Sequence, residues 1–216
     1  SGQWMKGDTV FTDDVLKNFV CSVLDARGFL LMRSERGKSR RMKVISVIGN
    51  QNGCAGIGIG KAVLARDATR RSFVNASNEL LTIKLWENRT VIHDFYSKYG
   101  ENKIFVYKMP AGFGIVAQRA IRSICIALGI KDIYCKCEGP TGNYLNIARA
   151  FMLGLQMQKT FQEMADEKKL HVVEFKPETN YFPVVLASPQ DKVRSLEEIK
   201  KDEPTDFRMY IYNGEV

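Results

Sequence analysis

Two apolar runs, Val44 to Ile48 and Cys54 to Gly60, flank Asn50-Gln51-Asn52-Gly53, and a long stretch with helical spacing follows. Asn52-Gly53 is the dipeptide a type I′ hairpin favours, because both central positions need positive φ. Strand, hairpin, strand and helix are therefore expected over Arg41 to Leu81. In that helix Ala65, Ala68, Ser72, Ala76 and Leu80 form a narrow stripe with Phe73 beside it, so the helix can lie close on a sheet. Upstream, Thr12 reads as an N-cap with Asp13 and Asp14 in the first turn. Val15, Leu16, Phe19, Val20 and Val23 then fall on one helical face ending near Arg27-Gly28. Phe29 to Met32 reads as a short strand, which makes the first unit a helix, three antiparallel strands and a helix.

A connection from Thr82 to Tyr99 is expected to hold one strand, Thr90 to Asp94. A second unit follows: strand Ile104 to Met109, loop Pro110 to Gly114, and a helix with Ala117, Ala120, Ile121, Ile124, Cys125 and Leu128 on its apolar face. Gly129 closes that helix as a C-cap. Asp132 to Cys137 reads as a strand and Gly139-Pro140-Thr141-Gly142 as a turn. Asn143 to Met157 reads as a helix with Leu145, Ala148, Met152 and Leu155 inward, giving a two-layer α/β arrangement. Beyond Thr160 the pattern thins to strand-like Leu170 to Phe175 and Phe182 to Leu186, separated by Lys176-Pro177-Glu178, and an acidic tail.

The strand Cys54 to Gly60 carries Gly56, Gly58 and Gly60 on one face, followed by Lys61. A bare strand face marks close approach by another backbone or a ligand. The Lys61 ammonium and the free amides of the next helix favour phosphate, so a polyphosphate backbone is expected there, with close helix-on-sheet packing as the alternative. Nucleotide motifs do not fit. A phosphate loop needs Gly at Ala55 and a hydroxyl at Ala62, and a dinucleotide fingerprint needs G-x-G-x-x-G.

Charge strengthens the polyanion reading. The chain of 216 residues has a net charge of +8, and its last 27 residues hold seven acids against five bases, so the preceding body is more basic still. Between Arg27 and Lys43 stand seven basic residues and one acid, read as a flexible basic loop over Arg33 to Arg41 that contacts phosphates. The candidate RNA contacts are Arg33, Arg36, Lys38, Arg40, Arg41, Asn50, Asn52, Gly56, Gly58, Gly60, Lys61, Arg66, Arg70, Arg119 and Arg122. Five cysteines without framework spacing point to a reducing compartment, and Cys135-x-Cys137 lacks the second pair a zinc site needs. His93-Asp94 has no nucleophile motif beside it. No catalytic residue, metal or cofactor is expected, and no apolar run approaches the roughly 18 residues of a membrane span. A chain starting at Ser1-Gly2, without Met or a transit pattern, is expected to be a trimmed one.

The first unit has the element order of double-stranded-RNA-binding domains, which read shape and backbone. Three blocks are more specific. Val47-Ile48-Gly49-Asn50-Gln51-Asn52-Gly53 with Gly56-Ile57-Gly58-Ile59-Gly60-Lys61-Ala62, then Pro110-Ala111-Gly112-Phe113-Gly114-Ile115-Val116-Ala117, then Gly129-Ile130-Lys131-Asp132-Ile133, resemble small-subunit ribosomal protein number five. Ala165 to Glu174 and Pro183 to Pro189 resemble the C-terminal extension of its mitochondrial branch. The resemblance implies an α+β protein: a double-stranded-RNA-binding-like domain over 1–85, a two-layer α/β domain over 86–160 and a C-terminal extension over 161–216. It also implies small-subunit ribosomal RNA as partner, ribosomal proteins four and eight as neighbours, a place where messenger RNA enters, a part in decoding accuracy, and the mitochondrial matrix. Two departures stand out: Gly139-Pro140-Thr141-Gly142-Asn143 is one residue longer than the family's turn, and the loop's paired glycine is reduced to Gly37. A free-standing double-stranded-RNA regulator is the alternative. A galactokinase-like kinase is a lesser one, since Ile115-Val116-Ala117-Gln118 lacks the hydroxyls such enzymes use.

Overall fold

The structure, a computed structural model, describes residues 4–6, 18–35, 37–175, 180–191 and 193. Ser1–Gln158 form one compact unit and Lys159–Val216 a second. The expected helix start at Thr12 to Leu16, Arg36, the Lys176-Pro177-Glu178 separator and most of the acidic tail lie outside the described residues.

The first unit opens with a five-stranded antiparallel sheet of order β1-β2-β3-β4-β5, made of Trp4–Lys6, Val20–Arg33, Gly37–Gly49, Cys54–Ala62 and Leu80–Thr82. Helix α1, Ala65–Asn78, connects β4 to β5 and lies on one face. Pairing Val44↔Gly60, Ser46↔Gly58 and Ile48↔Gly56 puts these six residues under α1, with Phe73 and Ala76 on Ile48 and Ala68 on Val44. The opposite face, with Leu24, Ile45, Val47 and Ala55, joins a larger core.

The expected helix over Val20 to Arg27 is instead the first half of β2. This segment is buried on both faces: Cys21 packs under α1 and Leu24 in the larger core. A strand buried twice carries apolar residues densely enough to imitate helical spacing. The short strand expected at Phe29 to Met32 is the far end of the same 14-residue element.

The hairpin after β3 also differs. Positive φ falls on Gln51 and Gly53 rather than on Asn52-Gly53, so this is not a type I′ turn. Asn50 Oδ1 accepts from the backbone N–H groups of Asn52 (2.8 Å) and Cys54 (3.1 Å), which fixes a four-residue loop.

A second sheet has the order β6-β7-β9-β8, from Phe95–Tyr99, Asn102–Lys108, Ile133–Glu138 and Ile115–Val116. Helix α2, Arg119–Leu128, links β8 to the parallel β9, and α3, Tyr144–Gln156, follows β9. Both helices seal one face of this sheet, where Ile104, Val106, Ile133 and Cys135 meet Ile121, Ile124, Ile147 and Phe151. Gly129 ends α2 in the left-handed region at φ 90°, as the sequence indicates. No strand forms over Thr90 to Asp94. Val91 and Ile92 are buried there, but the Ile92 N–H and His93 carbonyl are bound by the Gln158 side chain at 3.4 and 2.8 Å.

In the second unit, helix α4 (Phe161–Lys168) was not expected, although Thr160 and Glu163 form a reciprocal capping box. Strands β10 (Val172–Phe175) and β11 (Pro183–Ala187) pair antiparallel, close to the expected positions.

Candidate nucleic-acid interface

Pairing between β3 and β4 ends at Met42↔Ala62, whereas β2 and β3 stay paired from Gly28↔Met42 to Arg33↔Gly37. Beyond Met42 the two strands are a free ribbon of roughly 20 Å. The basic segment is therefore a hydrogen-bonded arm rather than a flexible loop. One face carries Leu30 beside Arg40 and Met32 beside Lys38, with Leu30 63% and Met32 66% exposed. The other face carries Phe29 beside Arg41 and Leu31 beside Ser39. Arg33 is exposed at the end of β2, and Arg36 lies outside the described residues. No carboxylate pairs with Arg33, Lys38, Arg40 or Arg41 among the described residues.

At the root of the arm, Lys43 stands directly opposite Lys61 on β4 and beside Arg27 on β2. Like charges directly opposite across strands repel, and an anion lying over them relieves this cost. Arg27 is partly neutralised by Asp25 at 2.7 Å and donates to the Gly142 carbonyl at 2.7 Å, which ties the Gly139–Asn143 turn to β2. Lys43 joins the cationic row only through sheet register. Its signal in the sequence was its place two residues beyond Arg41, on the same strand face. Arg66 and Arg70 are exposed on the first turns of α1, the end nearest the arm because Ala68 packs over Gly60 and Ala76 over Gly56.

Other expected contacts lie elsewhere. Gly56, Gly58 and Gly60 are buried, and a Cβ on any of them would collide with the backbone of Ala76, Ser72 or Ala68. The close approach read from the glycine period is made by α1, so that face is closed to a phosphate backbone. Asn50 and Asn52 sit at the opposite end of β3, roughly 40 Å along the strand from Gly37. Their turn serves α2: Gln51 N–H donates to the Ala127 carbonyl at 2.9 Å and Gly53 N–H to that of Leu128 at 2.8 Å, satisfying helix-end carbonyls. Exposed Arg122 lines a cleft beside that turn with Gln51 and Lys131. Arg119 donates to the Leu24 carbonyl at 2.8 Å, where a register shift between Val23 and Asp25 interrupts the ladder, and lies 5.3 Å from the Tyr144 ring centre. It fastens α2 to β2.

Asp132, the buried cysteines and Asp94 serve the fold. The Gly114 N–H (2.8 Å) and the Arg89 guanidinium (3.0 Å) hold the Asp132 carboxyl below the usual carboxylate range, the backbone bond contributing most. This pins the Pro110–Gly114 loop. Burial pushes the Cys21 thiol up to about 11 and the Cys125 and Cys135 thiols up as well, which keeps them protonated. Asp94 receives the Lys108 backbone N–H at 2.6 Å, while His93 Nδ1 lies 2.9 Å from the Asp94 carbonyl oxygen.

Two family models match this chain: "Ribosomal protein S5, N-terminal domain" over residues 32–84, which hold most of the arm, β4 and α1, and "Ribosomal protein S5, C-terminal domain" over residues 97–168. Small ribosomal subunit protein uS5 of Ruegeria sp. (strain TM1040) is 31% identical over 147 residues, 68% of this chain and 78% of the relative. The chain belongs to the ribosomal protein S5 family. Within that family, small ribosomal subunit protein uS5m of Bos taurus is 38% identical over 192 residues, 89% of this chain and 44% of the relative. The uS5m of Caenorhabditis elegans is 41% identical over 157 residues, 71% and 36% respectively. The chain thus spans less than half the length of these uS5m relatives. The S5 matches cover the β3 strand of the arm and both Asp132 and Gly114, but begin after most of the arm's β2 strand and leave out Arg89. They stop at residue 168, before β10 and β11.

Proposed function

We propose that this S5 chain is a structural, non-enzymatic component of the mitochondrial small ribosomal subunit, holding small-subunit ribosomal RNA with its cationic arm. The observation that carries the reading is the ribbon beyond Met42, whose Arg33, Lys38, Arg40 and Arg41 have no carboxylate partner among the described residues. At its root Lys43 and Lys61 extend the cationic surface on one face of the sheet, and Arg66 and Arg70 on the face that carries α1. Backbone phosphates are the fitting ligand, because long cations on a rigid ribbon supply charge and position without base readout.

The first domain, 1–85, works as a double-stranded-RNA-binding-like module, supported by α1 lying across antiparallel β2, β3 and β4. The α/β domain over 86–160 and the extension over 161–216 complete the chain. The mitochondrial assignment follows the length of agreement with the uS5m relatives. On this reading, which the family resemblance supports, the protein sits near the messenger entry path beside ribosomal proteins four and eight and has a part in translation accuracy. The test is the sucrose-gradient position of the tagged protein from mitochondria. Sedimentation with the small subunit supports the reading; a position among free soluble proteins overturns it and favours a free-standing RNA regulator.

A further inference from the structure

The second sheet has one sealed face and one open face. On the open face the register forms three cross-strand rows: Tyr107, Tyr134 and Val116; Tyr96, Phe105 and Lys136; and Lys98, Lys103 and Glu138, each residue opposite the next. The rings pair across strands, with centroids 5.1 Å apart for Tyr96 and Phe105 and 5.9 Å apart for Tyr107 and Tyr134. Tyr96 is 52% exposed and Tyr107 40% exposed. A solvated face of an antiparallel sheet ordinarily carries small polar side chains. This one carries four aromatic rings and three lysines against a single acid, Glu138, which is held by Lys136 at 2.8 Å.

We propose that this face is a stacking platform for single-stranded RNA, a second nucleic-acid surface independent of the arm. Aromatic rings on an open sheet take unpaired bases on their faces, whatever the base, while flanking cations hold the phosphates. The two aromatic rows are two residues apart along the strands, about 7 Å, a step an unstacked strand covers from one nucleotide to the next. Lys98 and Lys103 are directly opposite and like-charged, with Glu138 opposite Lys103 as the one neighbouring carboxylate in the row, and an anion lying over the pair relieves the repulsion. A face built only to stabilise the sheet through ring pairs needs no such lysine pair. A protein surface would meet these cations with carboxylates; RNA meets them with phosphate and the rings with bases.

The experiment measures anisotropy of labelled decauridine with the full chain at fixed salt. Wild type binds, and the Tyr96→Ala/Tyr107→Ala variant binds at least about tenfold more weakly, since each stacked base contributes roughly 1–3 kcal/mol. Tyr96→Phe/Tyr107→Phe keeps the affinity because stacking needs the ring and not the hydroxyl. The alanine variant keeps the wild-type affinity for duplex RNA, which separates this surface from the arm. Should the alanine variant melt early, cross-linking of wild type to a 5-bromouridine oligonucleotide decides, with adducts expected on Tyr96, Phe105, Tyr107 or Tyr134. No decauridine binding, unchanged affinity in a folded alanine variant, adducts confined to the arm, or a protein cross-linked to this face in assembled subunits overturns the proposal. Loss of decauridine binding to wild type with duplex RNA still bound refutes the platform alone and leaves the arm's role standing.

Discussion

The β2–β3 ribbon is two structures in one hydrogen-bonded ladder. At its root, Val44 to Gly49 are buried without interruption, with α1 against one face and the larger core against the other. In the arm, Gly28 to Glu35 and Gly37 to Arg41 are exposed or half-buried, and no third strand pairs with them among the described residues. Apart from the shift between Val23 and Asp25 in the root, the register runs unbroken into the arm. What changes is what lies on the faces: helix and core at the root, exposed cations in the arm. The ladder makes the cations rigid, so binding RNA orders fewer backbone residues than a loose loop would require. Substitutions at the root should therefore register in folding, and substitutions in the arm in binding.

Gly58→Val should have the largest effect. Its side chain would enter the backbone of Ser72 and Ala76, which has nowhere to go short of moving α1. Overpacking costs about 1–3 kcal/mol where side chains can yield, and more is expected here. Urea unfolding should show a collapsed midpoint or no cooperative transition; an unchanged midpoint would show that α1 does not close this face. Gly37→Ala, at the arm's turn, should cost about 1–2 kcal/mol through its φ of 63° alone, because no atom lies within 4 Å of an added Cβ. A loss as large as that of Gly58→Val would break the contrast between root and arm.

Acid should also distinguish sealed from solvated parts. Asp132 is buried and its carboxyl is depressed by the Gly114 N–H and then by Arg89. The unfolded chain takes up that proton at higher pH than the folded one. The stabilisation is thus complete above the ordinary aspartate value of about 4 and is lost as pH falls through the lower folded value. Melting curves from pH 7 to 3 should fall more steeply for wild type than for Asp132→Asn, which starts less stable. Parallel curves would remove Asp132 from the account.

The contrast explains what could be read in the sequence. The glycine period announced a close approach correctly, but a strand face cannot say whether a helix or a phosphate fills it, and α1 does. The helix at Ala65 to Asn78, the C-cap at Gly129 and the helix from Tyr144 were legible because local spacing and capping determine them. Val20 to Arg27 misled because burial on both faces removes the two-residue alternation that marks a strand. Asn50, Asn52 and Arg119 looked like polar contacts for a partner. The Asn50 and Arg119 side chains instead satisfy backbone groups at the hairpin turn and the β2 register shift, and Asn52 gives its backbone N–H to Asn50, partners visible only once the chain is folded. Lys43 became part of the cationic row only when register set it opposite Lys61.

The smallest change in stability and the sharpest change in binding should come from Arg33→Glu/Lys38→Glu/Arg40→Glu. These side chains stand in water, so each replacement should stay within about ±0.5 kcal/mol. The decisive measurement is the salt dependence of affinity for duplex small-subunit ribosomal RNA, wild type against this variant, with melting temperatures taken in parallel. Removal of three phosphate contacts should flatten the slope of log affinity against log salt by roughly two to three units, on top of a loss of affinity from the new carboxylates. A folded variant that keeps both the wild-type affinity and the wild-type slope would contradict the arm as the RNA contact.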